Sequence, residues 1–183
     1  MTIINPKWSQ NTNPVLINNL NILKPGTVLD IGGSDGVNDL FLAKNKFKVT
    51  NIDVDKEALE ILSKESKLQN LKIETINADL NNFQINNNYD NIICFYVLHF
   101  LEKEIAINLI KDIKNHTNKN GINIIITFTN KGEFEINKKR FYPTSEEFIE
   151  FYKDWEILYK NNFIGQTKSG KNQQRIILVA KKN

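Results

Sequence analysis

Short runs of β-branched residues alternate with helical patterns along most of this chain, and that alternation limits the folds it can adopt. The runs predicted as strands cover residues 27–31, 47–53, 71–77, 91–95, 122–128, 155–160 and 175–181. Strands that alternate with helices form mainly parallel sheets, because right-handed crossovers return each strand to the same direction. The last two runs predict a hairpin with a long loop over 161–174. The expected fold is therefore α/β: a Rossmann-like three-layer sandwich around a mostly parallel seven-stranded sheet, with one antiparallel strand from the C-terminal hairpin.

The length of 183 residues fits one domain with one core. We expect a single domain over residues 1–183, in which residues 1–25 form an N-terminal helix and a candidate lid. Asn13 and Pro14 predict the start of that helix, as cap and first-turn residue. No basic stretch followed by an apolar one opens the chain, and no apolar run reaches the roughly 18–20 residues of a membrane span. The single Cys94, in an apolar stretch, predicts a reduced thiol and a cytoplasmic protein.

The composition argues against nucleic acid or metal as the partner. The chain has 28 Asn, 26 Ile and 22 Lys but only two Arg, a bias that follows A- and T-rich codons. Its net charge is +3, and the Lys residues are scattered without aromatic interleaving, so no nucleic-acid surface is predicted. The two His, His99 and His116, and the one Cys form no recognisable metal-ligand spacing. The oligomeric state is left open.

Polar residues follow the ends of the predicted strands. The first strand carries Asp30 and runs into the glycine-rich turn GGSDG at residues 32–36. The second ends at Asp53, the third leads to Asp79, and the fourth leads to His99. Ligands of open α/β sheets bind at the carboxyl ends of the strands, where the strand order reverses. These residues therefore define the candidate site.

The glycine-rich turn predicts an adenosine ligand and argues against a dinucleotide. An acid such as Asp53, about 20 residues past the turn, can accept hydrogen bonds from ribose hydroxyls. The turn is Gly-x-Ser-x-Gly and lacks two glycines of the Gly-x-Gly-x-x-Gly pyrophosphate cradle. A carboxylate at Asp30, just before the turn, also suits a cationic ligand better than a pyrophosphate.

At these residues the sequence resembles the class I S-adenosylmethionine-dependent methyltransferases. VLDIGGSDG resembles their first motif, NIDVD their acidic second-strand motif, and NADL their third. The resemblance extends to the tellurite-resistance methyltransferase family, through the segments KPGTVLDIGG, NYDNIICFYVLHFL, FIEFYKDWEIL and RIILVAKK in that order. It covers nearly the whole chain and is weakest over residues 1–12 and 130–142.

The resemblance implies S-adenosylmethionine as the cofactor and assigns roles to particular residues. Asp53 is expected to bind the ribose hydroxyls, Val54 to flank the adenine, and Asp79 to accept from the adenine amino group. Tyr96 and His99 are expected to lie near the transferable methyl group, as candidate catalytic residues. The full set of expected cofactor-binding residues is Asp30, Gly32, Gly33, Ser34, Gly36, Asp53, Val54, Asp79, Leu80 and Phe95.

The sequence departs from the family pattern at three places. Ser34 replaces the central glycine of the turn, where its side chain can crowd the cofactor or hydrogen-bond to it. Val37 stands where the family has Arg, and residues 165–167 stand where it has Glu-Leu-His, so a family His is absent. Asp35 is expected to cap the helix that follows. Arg175 can either pair with an acid or face the site, and Arg140 belongs to a solvated run or contacts an anion.

The expected function is methyl transfer from S-adenosylmethionine to a small-molecule acceptor, such as a metalloid oxyanion or a thiol. A soft acceptor needs no general base, whereas an oxygen acceptor would require one, for which His99 is placed. Residues 1–12 and 130–143 are expected to form a lid with four aromatic side chains: Trp8, Phe134, Phe141 and Tyr142. Two alternatives remain, a methyltransferase-fold protein that binds without turnover and a nicotinamide-dependent oxidoreductase.

Overall fold

A seven-stranded sheet forms the centre of the computed structural model, which describes residues 11–133 and 136–183. The strands are β1 (Thr27–Ile31), β2 (Lys48–Asp53), β3 (Ile73–Asn77), β4 (Tyr89–Phe95), β5 (Thr117–Gly132), β6 (Glu156–Gln166) and β7 (Asn172–Lys181). Their order in the sheet is β3-β2-β1-β4-β5-β7-β6. Strand β7 runs antiparallel to both of its neighbours, and the other paired strands are parallel. The predicted sheet with one antiparallel strand is confirmed.

Helices pack on both faces of this sheet. They are α1 (Pro14–Asn19), α2 (Val37–Lys44), α3 (Lys56–Leu68), α4 (Lys103–Asn115) and α5 (Ser145–Glu150), with 3-10 turns at Leu20–Ile22 and Leu98–Phe100. Leu16 of α1 and Leu42 of α2 belong to the core on one face, whereas Ile110 of α4 and Phe148 of α5 belong to the core on the other. This arrangement is the predicted three-layer sandwich.

Local signals in the sequence start several of these helices. The Asn13 side chain caps α1 by accepting from the amide of Val15 at 2.9 Å. The Asp55 side chain caps α3 by accepting from the amide of Ala58 at 3.2 Å. Thr144 and Glu147 form the reciprocal capping box at the start of α5. Asp35, in contrast, does not cap α2, because the residue at the N-cap is Gly36.

Several boundaries differ from the sequence prediction. Strand β5, for example, runs over Thr117–Gly132 and not over residues 122–128. The hairpin loop is shorter than expected: β6 runs on to Gln166 and β7 begins at Asn172, because the polar residues of this segment pair across the two strands. Helix α4 ends at Asn115 with His116 at its C-cap, and not near residue 120 as its pattern predicted. Helix α5 ends at Glu150, five residues before the end of its apolar stripe.

The strand order reverses between β1 and β4. From β1 the chain crosses to β2 and β3 on one side, and then returns to place β4 on the other side of β1. The carboxyl ends of these four strands therefore meet at one edge, and the reversal opens a crevice there. No helix in the described part of the chain combines the length and apolar character needed to cross a membrane.

Candidate active site

The glycine-rich turn after β1 is tied to the neighbouring strand by its backbone. Gly32 has a φ of 73°, which side chains disfavour, and its amide donates to the carbonyl of Ile52 at 2.7 Å. A Cβ on Gly33 would lie 2.3 Å from Nδ2 of Asn51 and 3.0 Å from Cγ of Asp30. Glycine at this position thus lets the turn lie directly on two buried polar side chains.

Ser34 adopts the conformation of the glycine that it replaces. Its φ is 51°, in the left-handed region, and two side chains of β2 hold its backbone. Its amide donates to Oδ2 of Asp53 at 2.9 Å, and its carbonyl accepts from Nδ2 of Asn51 at 3.4 Å. The serine therefore keeps the turn intact, and its hydroxyl is buried with no hydrogen-bond partner among the described residues.

Asp53 at the end of β2 is fixed by two backbone amides. Besides the amide of Ser34, its Oδ1 accepts from the amide of Asp55 at 2.8 Å. The next residue, Val54, is 67% exposed, and its carbonyl accepts from Nδ2 of Asn77 at 3.0 Å. Each carboxylate oxygen of Asp53 retains a second lone pair, so the group can still accept from a ligand.

Asp79 and Leu80 follow β3 at the same edge. Asp79 is exposed, and its Oδ1 accepts from the amide of Asn81 at 2.9 Å and from the Asn81 side chain at 2.6 Å. Leu80 is partly buried and packs against the core on the α4 side of the sheet. These two residues thus offer an acceptor and an apolar contact just past Ala78, whose amide donates to the carbonyl of Asp53 at 3.1 Å.

A pair of buried carboxyl groups lies beneath the turn. Asp30 of β1 is 1% exposed and Asp39 of α2 is 0% exposed. Burial, together with the charge of Asp39, raises the pKa of Asp30 well above its usual range. Burial raises the pKa of Asp39 to about 7, against hydrogen bonds from Asn51 and Asp30 that lower it. We call this group, made of residues 32–36 with Asp30, Asp39, Asn51 and Asp53, the turn end of the site.

The other end of the site follows β4 and carries aromatic side chains. Tyr96 has a φ of 61°, and its amide donates to the carbonyl of Ile126 in β5 at 2.8 Å. The centroid of its ring lies 6.0 Å from that of the Phe128 ring. The preceding residue, Phe95, is buried. Burial raises the pKa of the Tyr96 phenol, so it stays protonated at neutral pH. We call Tyr96, His99, Phe128 and Arg175 the aromatic end.

His99 is enclosed by aromatic rings. It is 4% exposed, and its ring centroid lies 4.2 Å from those of both Phe100 and Phe128. Its Nδ1 is buried without a hydrogen-bond partner among the described residues. Burial, followed by the positive charges of Arg140 and Arg175, lowers the pKa of His99 to about 3. The imidazole is therefore neutral at neutral pH and is a weak base.

Arg175 faces this site and is not paired with an acid in the described part of the chain. It is 7% exposed, and its guanidinium lies 5.1 Å from the ring centroid of Phe128 and 5.9 Å from that of Tyr96. It donates to the carbonyls of Gln173 at 3.1 Å and Gln166 at 2.9 Å. Of the two possibilities for Arg175, the structure supports the one in which it faces the site.

The candidate lid residues separate into three groups. Trp8 and Phe134 lie outside the described residues. Phe141 was expected in the lid, but it is buried against Phe148 and Phe151 and belongs to the core. Tyr142 is partly buried, and its ring centroid lies 6.2 Å from that of His99. Of the four aromatic residues expected in the lid, Tyr142 is thus the one that lies close to His99 in the described part of the chain.

Sequence reasoning missed Asp39 and Asn51. Both are fully buried, and Asn51 donates its Nδ2 to Oδ2 of Asp39. Their signal was a polar residue at an inward position, in the middle of a central strand and on the buried side of a helix. A buried polar group needs a hydrogen-bond partner, so a buried polar residue on the strand predicts a polar partner on the helix that packs against it.

Among the described residues, no three His, Cys, Asp or Glu side chains are grouped as metal ligands. A groove of about 500 Å³ lies beside Tyr142 and Arg140, between α4, α5 and residues 136–143. It is separate from the turn end, which is an open edge of the sheet. The two ends together offer acceptor oxygens and negative charge on one side, and a buried cation on the other.

Comparison with known proteins assigns the chain to a family. The model of the family described as "Tellurite resistance protein TehB" matches residues 8–180. A Haemophilus influenzae protein named "Probable S-adenosyl-L-methionine-dependent methyltransferase TehB" is 34% identical over 157 residues, which covers 85% of this chain and 55% of that protein. The chain thus spans about half the length of this curated relative.

A solved structure agrees with that assignment. The crystal structure of TehB from Haemophilus influenzae superposes with a TM-score of 0.87 at 28% identity, covering 96% of this chain and 64% of that one. Magnesium protoporphyrin IX methyltransferase from Synechocystis, solved with bound S-adenosylmethionine, superposes with a TM-score of 0.67 at 18% identity, covering 92% of this chain and 75% of that one. The second similarity is one of fold alone.

Proposed function

Since the chain belongs to the TehB family of tellurite resistance proteins, we propose that it transfers a methyl group from S-adenosylmethionine to a small, soft acceptor. A metalloid oxyanion such as tellurite or selenite, or a thiol, has this chemistry. The observation that carries the proposal is the arrangement of Asp30 and Asp53 around the turn at residues 32–36, at the point where the strand order reverses. The proposal is confined to this chain, which spans about half of its curated relative.

The turn end fits S-adenosylmethionine by the chemistry of its groups. The ribose of that cofactor presents two hydroxyl donors, and the carboxylate of Asp53 offers acceptor oxygens that two amides already orient. The adenine amino group is a donor that Asp79 can accept, and exposed Val54 and partly buried Leu80 offer apolar contact to its ring. The sulfonium and ammonium charges are positive, and the carboxyl groups of Asp30 and Asp39 lie beneath the turn.

The same groups argue against a nicotinamide dinucleotide. Its pyrophosphate would bring two negative charges close to the carboxylate of Asp53, where like charges repel. The amide of Ser34, which a phosphate would need as a donor, is already bound to Asp53. The turn end therefore favours a cationic ligand.

When bound, the cofactor supplies an electrophilic methyl group, and the protein has to hold a nucleophile in line with it at close range. Tyr96 and His99 are proposed to line the position of that nucleophile. The low pKa of His99, about 3, makes it a poor match for a general base at neutral pH. An acceptor that attacks through its own lone pair requires no such base, and this favours sulfur, selenium or tellurium over oxygen.

Arg175 favours an acceptor that carries negative charge. Its guanidinium is buried beside Tyr96 and is not ion-paired within residues 11–133 and 136–183. Two of its five N–H donors are accounted for by the carbonyls of Gln166 and Gln173. An oxyanion or a thiolate at the aromatic end would be stabilised by this charge.

An acceptor screen tests the proposal. The purified chain is incubated with S-adenosylmethionine and each of tellurite, selenite, thiols and small phenols, and the release of S-adenosylhomocysteine is measured. We expect release with a metalloid oxyanion or a thiol. Binding of S-adenosylmethionine in calorimetry without release for any acceptor would instead support a fold that binds without turnover. Absence of binding would contradict the proposal altogether.

A further inference from the structure

We propose that Asp39 is a positioning residue of the cofactor site, because it shares one proton with Asp30 beneath the turn and this proton leaves when S-adenosylmethionine binds. The inference rests on the proposed function for the identity of the ligand. It goes beyond that function by adding a proton to the binding equilibrium: the O–H bond of a carboxyl group breaks, and the proton passes to the buffer.

The contact between the two carboxyl groups is the first support. Oδ2 of Asp30 and Oδ1 of Asp39 are buried, neither has a hydrogen-bond donor as partner among the described residues, and the two side chains lie within hydrogen-bonding range of each other. The two side chains can hydrogen-bond each other only if one of them is protonated, and Asp30 is then the donor. A single proton between the two groups therefore satisfies both oxygens and removes one of two buried negative charges.

Among the described residues, no positively charged side chain faces the pair. The titratable groups that face it are Asp30 from β1, Asp35 from the turn, Asp39 from α2, Asp53 from β2 and Cys94 from β4. Asp35 and Asp53 act on the pair as further negative charges, and burial keeps the Cys94 thiol protonated. A cation placed at the turn would thus be the first positive charge at this end.

Hydrogen bonds and close packing connect the pair to the turn. Asp39 accepts from Nδ2 of Asn51, and the same Nδ2 lies 3.4 Å from the carbonyl of Ser34. A Cβ on Gly33 would lie only 3.0 Å from Cγ of Asp30, so no further layer of atoms separates the turn from the pair. Asp39 therefore acts on the ligand through Asn51, Asp30 and the turn.

The charge of the ligand sets the size of the effect. S-adenosylmethionine carries a net charge of about +1 near pH 7, whereas its demethylated product carries none and is otherwise the same molecule. The cation lowers the pKa of the pair and releases the proton, and the neutral product does so much less. Between pH 5.5 and 7.5 the affinity for S-adenosylmethionine should rise with pH, by at most about tenfold per unit for one proton.

Calorimetry in two buffers of different ionisation enthalpy measures this proton directly. At pH 6.5 we expect roughly 0.3–1 proton to be released per S-adenosylmethionine bound, and less than half of that for S-adenosylhomocysteine. Equal release for both ligands, or none for S-adenosylmethionine, would overturn the inference while leaving the proposed function in place. Failure of both ligands to bind would contradict the inference and the proposed function together.

Two matched variants assign the proton to the pair. Asp39→Asn removes the carboxyl group that titrates near 7, and with it a charge that adds to the effect of burial on the pKa of Asp30, so proton release at pH 6.5 should fall by at least half. Asp90→Asn removes a carboxylate at the opposite edge of the sheet, where hydrogen bonds hold the pKa of Asp90 at about 2, and should leave the release unchanged. An equal loss in both variants would overturn the inference. The comparison of the two ligands on the unaltered protein gives the same test without a variant.

Discussion

The turn end and the aromatic end of the site both contain buried titratable groups, but the charges around them have opposite signs. Burial raises the pKa of Asp30 and Asp39 at the turn end, and it lowers the pKa of His99 at the aromatic end. In both cases desolvation favours the neutral form. At the turn end the neighbours that reinforce this shift are acids, whereas at the aromatic end they are Arg140 and Arg175. The site is thus suited to a cation on one side and to an anion on the other.

Under the proposed function, this difference would let one small domain bring a cationic cofactor and an anionic acceptor together. The two ends lie at the carboxyl edge of one sheet, on the neighbouring strands β1 and β4. Each ligand would then meet side chains of opposite charge at its own end. The following substitutions alter one end at a time and so test whether the two are separate in function.

The largest expected effect is on stability at the turn end. Because the pKa of Asp39 is raised in the folded protein, its contribution to stability is present at low pH and is lost as the pH rises from about 4 through 7. Asp39→Asn lacks this loss. Its stability relative to the unaltered protein, measured by urea unfolding, should therefore increase by about 2–3 kcal/mol between pH 5 and pH 8. A difference that does not change with pH would contradict the raised pKa.

The next effect is on cofactor affinity. Asp53→Ala removes the acceptor proposed for the ribose hydroxyls, and the Kd of S-adenosylmethionine should rise by roughly 5–150-fold, equivalent to about 1–3 kcal/mol. Asp53→Asn keeps the shape of the side chain and should lose less. Glu57→Ala, at an exposed position in α3, serves as the control with unchanged affinity. An unaltered Kd in Asp53→Ala would mean that the ligand does not reach the end of β2.

A smaller effect is expected at the aromatic end. Arg175→Gln removes the buried charge, so the KM for tellurite or selenite should rise by about tenfold, whereas the Kd of S-adenosylmethionine stays within about twofold. Arg175→Lys retains the charge without the planar fork and should fall in between. Steady-state kinetics and calorimetry on the same preparations give both values. Equal losses for acceptor and cofactor would contradict the separation of the two ends.

The smallest effect is expected for His99. His99→Phe keeps an aromatic ring between Phe100 and Phe128 and removes the only imidazole at this end. With a soft acceptor, we expect the rate of S-adenosylhomocysteine release by this variant to stay within about threefold of the rate of the unaltered protein. The rate of the unaltered protein should show no step between pH 6 and pH 7, because the pKa of His99 is already about 3. A drop of 100-fold or more would identify His99 as a general base, and with it an oxygen acceptor.

The sequence predicted the turn end better than the aromatic end for a physical reason. The residues at the ends of β1, β2 and β3 follow from the alternation of strands and helices, since parallel strands bring their carboxyl ends to one edge. The contact of Asp30 with Asp39 was not predicted, because it joins a strand to the next helix across the turn. A sequence pattern gives the buried face of each element but not which side chains meet between them.

At the aromatic end, the predictions that are wrong or that the sequence leaves open depend on packing between elements. Phe141 reads as a lid residue in a polar segment, but it is part of the core, since it packs on Phe148 of α5. Arg175 lies on a strand whose pairing does not follow from the sequence, because the sequence predicts a loop where β6 extends to Gln166. Only the pairing of β6 with β7 brings the Gln166 carbonyl to the Arg175 guanidinium.

The proposed reaction is methyl transfer to a soft, anionic acceptor without a general base. The most direct test measures release of S-adenosylhomocysteine from S-adenosylmethionine by the purified chain, with selenite or tellurite and with a thiol, and with a small phenol for comparison. We expect release with the soft acceptors and little or none with the phenol. Preferred methylation of the phenol, or no release with any acceptor while the cofactor still binds, would contradict it.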